Sequence, residues 1–326
     1  MDGVLITVRA VHFGACVLLA GEFAFALLVA GHERLERVPR LARRQRGLAL
    51  YAWLVAVASG ALWLVLEAAN MSGETLARAV AEGAVRVVLD RTSFGHVFAL
   101  RALVSLALVG VLAWLALARG ERARHALRIV ALLLGIVLLV TLAFVGHAAA
   151  AGHGAIHVVH SAADMLHLLA AGGWLGALPA LTFCLAQPLP VAELGRLTLR
   201  FSTLGIVCVV VLAASGSVNA LFLVGSFAAL TGTPYGRVLL VKLGVFAVML
   251  GLAAINKQRL TPRLVGGDVT AATTLRRRAR MESALGVAVI VLVGALGVMV
   301  PANHALHAGH GVMGPADHPP HPAHGG

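Results

Sequence analysis

Residues 126–146 read ALRIVALLLGIVLLVTLAFVG, and this stretch decides the fold. Its only charged residue is Arg128, close to its start. A helix of about 20 apolar residues is long enough to cross the ~30 Å hydrocarbon core of a bilayer. A backbone inside lipid must satisfy its own hydrogen bonds, so such a segment crosses as a helix. The stretch therefore predicts a membrane-spanning helix.

The rest of the chain repeats this pattern. Of its 326 residues, 60% are hydrophobic and 12% are charged, and the mean hydropathy is +0.91. A soluble domain has about twice that charged fraction. We predict eight spans, at Val4–Ala30, Leu48–Ala69, Gly95–Ala118, Ala126–Gly146, His157–Ala186, Leu199–Val224, Gly236–Ile255 and Met281–Val300. The predicted fold class is all-α, a polytopic integral membrane helix bundle.

Basic residues concentrate in alternate loops, which predicts the orientation. The odd-numbered loops hold Arg34, Arg37, Arg40, Arg43, Arg44, Arg46, Arg119, Arg122, Arg124, Arg128, Arg196, Arg200, Lys257, Arg259, Arg263, Arg276, Arg277, Arg278 and Arg280. The even-numbered loops hold only Arg78, Arg86 and Arg91, with Arg237 at an edge. Loops rich in lysine and arginine stay in the cytoplasm, so both termini are predicted to lie outside it. This placement also makes the net charge of +12 an orientation signal and not a sign of nucleic-acid binding.

Two further features have structural interpretations. The loop from Asn70 to Phe94 carries charges at helical spacing and predicts an amphipathic helix on the membrane surface; these charges are Glu74, Arg78, Glu82, Arg86 and Asp90. The three cysteines, Cys16, Cys184 and Cys208, are far apart in apolar segments. They predict packing residues and no disulfide framework.

Ionisable side chains inside a bilayer are costly and are usually functional. In the predicted orientation, most of the polar residues in the spans lie toward the non-cytoplasmic side: His12, Glu67, His96, His147, Asn219 and Lys242, with Arg101 about two turns below His96. Only Glu22 lies clearly in the inner half. Because Arg101 and Lys242 are cationic, we expect them to balance buried carboxylates or bind a lipid headgroup, and not to hold a metal.

The densest polar cluster lies at the start of the fifth span. At ~100° per residue, its members fall on one helix face; they are His153, His157, His160, Asp164 and His167. Imidazole and carboxylate suit copper(II), zinc, nickel or haem iron, and Asp164 could instead orient a histidine. One helix cannot complete a coordination sphere, so we expect His12 and His147 to contribute. The alternative is that each histidine is a hydrogen-bonded packing group.

The chain changes character after Pro301. Residues 303–326 are rich in His, Gly and Pro and predict a disordered tail, with His304, His307 and His310 as candidate metal ligands and an incidental low-complexity tail as the alternative. The sequence contains no P-loop, no GxSxG and no HExxH motif, so we expect no enzymatic activity.

Several segments resemble the bacterial copper resistance protein D (CopD) family. They are HLLAAGGWLGALPAL at 167–181, RFSTLG at 200–205, SGSVNA at 215–220, TPYGRVLLVK at 233–242, INKQRLTPRL at 255–264 and Met281-Glu282-Ser283. The resemblance divides the chain into an N-terminal bundle of about five helices (1–190), a CopD-like domain of about three (191–300) and the tail (301–326). It implies a bacterial inner-membrane protein that handles copper, with a periplasmic CopC-like copper carrier as partner.

Three functions follow as hypotheses. The first is a copper transporter that moves copper from the periplasm to the cytoplasm, with Glu22 and Asp164 as candidate proton carriers. The second is a cytochrome b-like redox protein with bis-histidine haem. The third is a copper sensor or chaperone partner that binds copper without moving it.

Overall fold

The computed structural model describes residues 2–31, 38–145 and 154–303, and in those ranges the secondary structure is helical without strands. Eight helices are long and apolar enough to cross a membrane. We call them spans 1 to 8; in chain order they are Gly3–Ala30, Pro39–Ser72, Ser93–Leu117, Glu121–Val145, Ile156–Cys184, Val191–Leu223, Pro234–Val265 and Val269–Leu296. The chain is therefore a polytopic helical membrane protein, as the sequence predicts.

Four spans contain irregular turns. The α-helix of span 1, Asp2–Ala24, continues as a π-helix over Phe25–Ala30, and that of span 4, Glu121–Val140, continues as a 3-10 helix over Thr141–Val145. Span 5 consists of Ala155–Leu175 and Leu178–Cys184. Span 7 consists of Pro234–Ile255, a π-helix Asn256–Leu260 and Thr261–Val265. In spans 5 and 7 the second α-helical piece has a proline in its first turn, a position where its missing N–H costs no hydrogen bond.

Several helices extend beyond the predicted apolar runs. Spans 2, 6 and 8 begin at Pro39, Val191 and Val269, and span 7 continues to Val265. All four extensions lie at the end of the bundle that carries the basic loops. Arginine favours helix but lowers local hydropathy, so the apolar runs underestimate helix length there.

The loop between spans 2 and 3 forms two short helices, Leu76–Ala81 and Ala84–Arg91. The prediction of one continuous helix is wrong, because Gly83 between them has a φ of 80°, which favours glycine. The helical charge spacing still produces ion pairs one turn apart, at Glu74–Arg78, Arg78–Glu82 and Arg86–Asp90.

Span 1 lies at the centre of the bundle and packs against spans 2, 4, 5 and 8. It crosses span 5 at two glycines, Gly21 and Gly176, where a β-carbon on either residue would overlap the backbone of the other span. Small residues at such a crossing let two helices approach closely. Spans 1, 3, 5 and 7 begin at one end of the bundle, which we call the histidine end.

Candidate metal site

The polar stripe of span 5 faces the inside of the bundle. His160 is only 4% exposed, whereas the apolar residues on the opposite face, Val158, Val159 and Leu166, are 50% to 65% exposed. His157, Asp164 and His167 are half-buried. The helical period therefore directs the titratable side chains to protein and the aliphatic ones toward lipid.

Two imidazoles of this stripe have buried nitrogens without partners. Within residues that the structure describes, neither Nδ1 of His157 nor Nε2 of His160 has a hydrogen-bond partner. The His160 ring stacks on Phe222 of span 6, with 4.9 Å between the ring centroids. A buried polar atom left without a partner costs about 1–3 kcal/mol, so these nitrogens indicate a place for an ion or water.

Spans 6 and 7 add an amide and a cation beside Asp164. The Nδ2 atom of Asn219 donates to Oδ1 of Asp164 at 2.6 Å, whereas Oδ1 of Asn219 is buried without a partner among the described residues. Lys242 of span 7 interacts electrostatically with both Asp164 and His167. Lys242 therefore lies near a carboxylate that it can balance.

The ring of His167 is held in one tautomer. Its Nδ1 atom lies 3.1 Å from Oγ of Ser215, and that hydroxyl donates its hydrogen to the carbonyl of Val211 at 2.6 Å. The hydroxyl must therefore accept from Nδ1–H, and the lone pair of the imidazole is on Nε2. This nitrogen has no hydrogen-bond partner in the described part of the chain. Metal-binding histidines are commonly oriented in this way, through the ring nitrogen that does not bind the metal.

His12 of span 1 is oriented in the same way, but both of its ring nitrogens have hydrogen-bond partners. Its Nδ1 atom lies 3.0 Å from the carbonyl of Ala56 and 3.1 Å from Oγ of Ser59, a hydroxyl that donates to Val55. Its Nε2 atom lies 2.6 Å from Nη2 of Arg101. A guanidinium can only donate, so the His12 lone pair accepts this hydrogen bond. The predicted ligand His12 therefore has no free nitrogen in this conformation.

Arg101 is a buried cation with neutral partners. Besides His12, it donates to the carbonyl of Leu138, to Oγ1 of Thr141 at 2.6 Å and to Sγ of Cys16 at 3.4 Å. No carboxylate within ion-pair distance of it is found among residues 2–31, 38–145 and 154–303, so the expectation that Arg101 balances a buried acid is wrong there. Sequence reasoning missed Cys16, Ser59 and Thr141. The sequence did contain one signal for this group: Cys16 lies one turn after His12, so the two side chains share a helix face.

The remaining candidates lie apart from the stripe. His96 is exposed and its Nε2 atom lies 3.3 Å from the carbonyl of Asp90. Glu67 interacts electrostatically with Arg9. Glu22 forms an ion pair with Arg44 of span 2 at 3.0 Å. Five predicted ligands, His147, His153, His304, His307 and His310, lie outside the described residues.

No complete coordination sphere is assembled in the described ranges. Within them, no three His, Cys, Asp or Glu side chains are close enough together to hold a metal ion. The histidines of span 5 instead form a row that runs inward from the histidine end. A copper ion bound there would need ligands from other segments, water or a small movement of the helices.

A cavity of about 370 Å³ lies further inward, between spans 5, 6, 7 and 8. Its wall is mainly apolar and includes Trp174, two turns beyond His167 on span 5. Its polar residues include Asn256 and Glu282, which is 2% exposed and accepts a hydrogen bond from Nδ2 of Asn256 at 2.5 Å. Sequence reasoning did not propose these two residues as site residues, although an acid beside the last apolar run was a usable signal.

Comparisons with known proteins find related sequences for both halves of the chain. The family model "Copper resistance protein D-like, N-terminal domain" matches residues 1–158, and "Copper resistance protein D" matches residues 195–296. The chain is 38% identical to copper resistance protein D of Pseudomonas syringae pv. tomato, over 53% of this chain and 59% of that protein. It is 35% identical to copper transport protein CutJ of Bacillus subtilis, over 47% of this chain and 27% of that protein. It is 30% identical to inner membrane protein YebZ of Escherichia coli, over 50% of this chain and 56% of that protein.

The matched regions therefore span little more than half the length of these relatives, or less. No solved structure matches the chain. Together the two family models match residues 1–158 and 195–296, which is most of the sequence, but His160, Asp164 and His167 of the stripe lie between the matched ranges. The chain belongs to the copper resistance protein D family.

Proposed function

We propose that this protein binds copper along the stripe of span 5 and moves it inward across the bacterial inner membrane. One observation carries the proposal: three imidazoles on one inward-facing helix, those of His157, His160 and His167, each keep a ring nitrogen without a partner among the described residues. Imidazole nitrogen is a good ligand for copper. The family and the relatives named for copper resistance and copper transport support copper as the metal.

The order of residues along span 5 suggests the direction of movement. His157 and His160 lie nearest the histidine end, and Asp164 and His167 follow within the next two turns. Trp174, two turns further, packs edge-to-face against Phe246 with 6.1 Å between ring centroids, and it lines the cavity. A copper ion would pass from imidazole to imidazole and then, after Trp174 moves, toward the buried acid Glu282.

The surroundings of the protein are part of the same proposal. Both termini would lie in the periplasm, where a CopC-like carrier would deliver copper and where His304, His307 and His310 of the tail would collect it. The chain would act without catalysing a chemical reaction. Copper flux would then depend on a gradient of copper or of another ion.

Copper uptake into proteoliposomes tests this function. We expect His160→Ala and His167→Ala each to slow uptake by at least about 10-fold, because each removes a ligand from the row. His96→Ala is the matched control. This histidine is exposed and lies apart from the stripe, with its Nε2 atom 3.3 Å from the carbonyl of Asp90, so the variant should transport normally. Normal uptake by both folded span 5 variants would refute the proposal.

The other two hypotheses give different results. Bis-histidine haem needs histidine nitrogens on two helices that face one iron. At the histidine end of the described residues, the buried histidine nitrogens without a partner, Nδ1 of His157 and Nε2 of His160, both belong to span 5. A Soret band in the purified protein would support haem. A sensor would bind copper at His160 and His167 but would show no flux in the same proteoliposomes.

A further inference from the structure

Spans 1 and 5 are related to each other by position and by contact. Each carries a buried or half-buried histidine, His12 or His167, and each has a glycine nine residues later, Gly21 or Gly176. These two glycines are in direct contact. Equivalent residues of two copies touch each other at the axis that relates the copies. Because both spans begin at the histidine end, the axis runs along the membrane normal, as in parallel transporter repeats.

Spans 2 and 6 are equivalent in their contacts with these histidines. Both carry a Ser-Gly pair, Ser59-Gly60 and Ser215-Gly216. Each serine hydroxyl lies 3.1 Å from Nδ1 of its histidine. A β-carbon on Gly60 would lie 3.0 Å from Cε1 of His12, and one on Gly216 would lie 3.3 Å from Cε1 of His167. Each ring is therefore held between a hydroxyl and a glycine of the next span.

Spans 3 and 7 begin with similar sequences, TSFGHVFALR at 92–101 and TPYGRVLLVK at 233–242. In both, the threonine caps the helix by accepting from the N–H of the glycine three residues later. Nine residues after the threonine, both have a long cationic side chain, Arg101 or Lys242. The two cations therefore occupy equivalent positions.

Spans 4 and 8 complete the correspondence. Gly135 of span 4 packs against Ala20, and Gly286 of span 8 packs against Leu175. Ala20 and Leu175 each lie eight residues after the histidine of their own span. All four helices of spans 1–4 thus have a counterpart in spans 5–8, which divides the chain between spans 4 and 5.

We infer that the chain is a tandem duplication of a four-helix unit and that the first unit contains a second copper(I) site, His12 and Cys16, which Arg101 closes. The Nε2 atom of His12 lies 3.9 Å from Sγ of Cys16. Zinc, a d¹⁰ ion like copper(I), binds imidazole at about 2.0 Å and thiolate at about 2.3 Å. One bent N–metal–S unit therefore fits this separation, and soft thiolate favours copper(I).

Arg101 holds a positive charge where the ion would bind. One of its nitrogens, Nη2, contacts both potential ligands, at 2.6 Å from Nε2 of His12 and 3.4 Å from Sγ of Cys16. In the second unit, Lys242 leaves Nε2 of His167 open. The position that corresponds to Cys16, one turn after His167, is Ala171. The two related sites therefore differ in both their cation and their sulfur.

Copper(I) titration of the full-length protein under reducing conditions, with a competing chelator, tests the inference. We expect Arg101→Leu to bind one more copper(I) ion per chain than the wild type and to show a Cu–S contact by X-ray absorption. Leucine is chosen because a methionine would add a thioether, which is itself a ligand for copper(I). Adding Cys16→Ser should remove both gains. Lys242→Leu is the matched control and should gain no sulfur-bound copper, because Ala171 offers no thiol.

Two further variants keep the test decisive if one Arg101 variant does not fold. Arg101→Gln also removes the charge and should give the same Cys16-dependent gain. In the wild-type chain, Cys16→Ser should leave the copper stoichiometry unchanged, because the site is closed. The inference is overturned if neither folded Arg101 variant gains copper, if the gain survives Cys16→Ser, or if Cys16→Ser removes copper from the wild-type chain. None of these outcomes depends on uptake through span 5.

Discussion

The buried acid Glu22 offers a quantitative test of the structure. It is 1% exposed, and both of its carboxylate oxygens accept hydrogen bonds from one nitrogen of Arg44, at 3.1 and 3.0 Å. Arg44 itself is 20% exposed and lies over the ring of Phe183 at 4.8 Å. The buried carboxylate of Glu22 therefore relies on Arg44 to balance its charge, whereas the guanidinium of Arg44 is partly hydrated.

This asymmetry sets the expected effects of substitution. Removing one partner of a buried ion pair costs about 3–5 kcal/mol. We expect Arg44→Met to lower the free energy of unfolding by about 3 kcal/mol, since Arg44 is partly exposed and only one of its nitrogens is used. Glu22→Gln should cost about 1.5–3 kcal/mol, because a hydrogen bond to a charged group is worth about that much and Arg44 can still be hydrated. The double variant should cost little more than Arg44→Met alone.

Equilibrium unfolding in mixed micelles with increasing SDS, followed by circular dichroism, measures these values. The double-mutant cycle should give a coupling energy of about 2 kcal/mol between Glu22 and Arg44. The exposed pair Arg78–Glu82 is the matched control and should give about 0.3 kcal/mol. If the Glu22 and Arg44 effects add within about 0.5 kcal/mol, the buried pair is not coupled and this reasoning is refuted.

Two further predictions use the same unfolding assay. Gly176→Ala should destabilise the protein by about 3 kcal/mol, because the new methyl group would overlap the carbonyl of Val17. Gly110 on span 3 has open space around it, so the control Gly110→Ala should be neutral or slightly stabilising. Equal effects of the two substitutions would contradict the close crossing of spans 1 and 5. Thr233→Ala should cost about 1 kcal/mol by removing the cap of span 7, whereas an unchanged stability would show that the cap contributes nothing.

The number and order of the spans could be predicted from sequence because membrane spans need long apolar runs. Their ends beside the basic loops could not be predicted, since the turns that follow Pro39 and Val269 are helical but rich in arginine. The crossing of Gly21 and Gly176 was also not predictable. A glycine in an apolar run fits many environments, and only the paired helix shows which one applies.

The inward face of span 5 was predictable because the 3.6-residue period places His157, His160, Asp164 and His167 on one stripe. The partners of His12 were not. Position along a helix gives the level of a side chain in the bundle, but it does not give the rotation of that helix or the identity of its neighbour. Arg101 was therefore expected beside an acid, although it lies between an imidazole and a thiol.

The difference between the two related histidines follows from the charges around them. Both rings keep their lone pair on Nε2, because a serine hydroxyl accepts from Nδ1–H in each unit. In the first unit, Thr141 and the carbonyl of Leu138 hold the guanidinium of Arg101 against His12. The residue of span 8 that corresponds to Thr141, six positions after Gly286, is Leu292, which has no hydroxyl. There Asp164 attracts the cation Lys242 instead, so the open histidine is the one whose unit supplies a carboxylate.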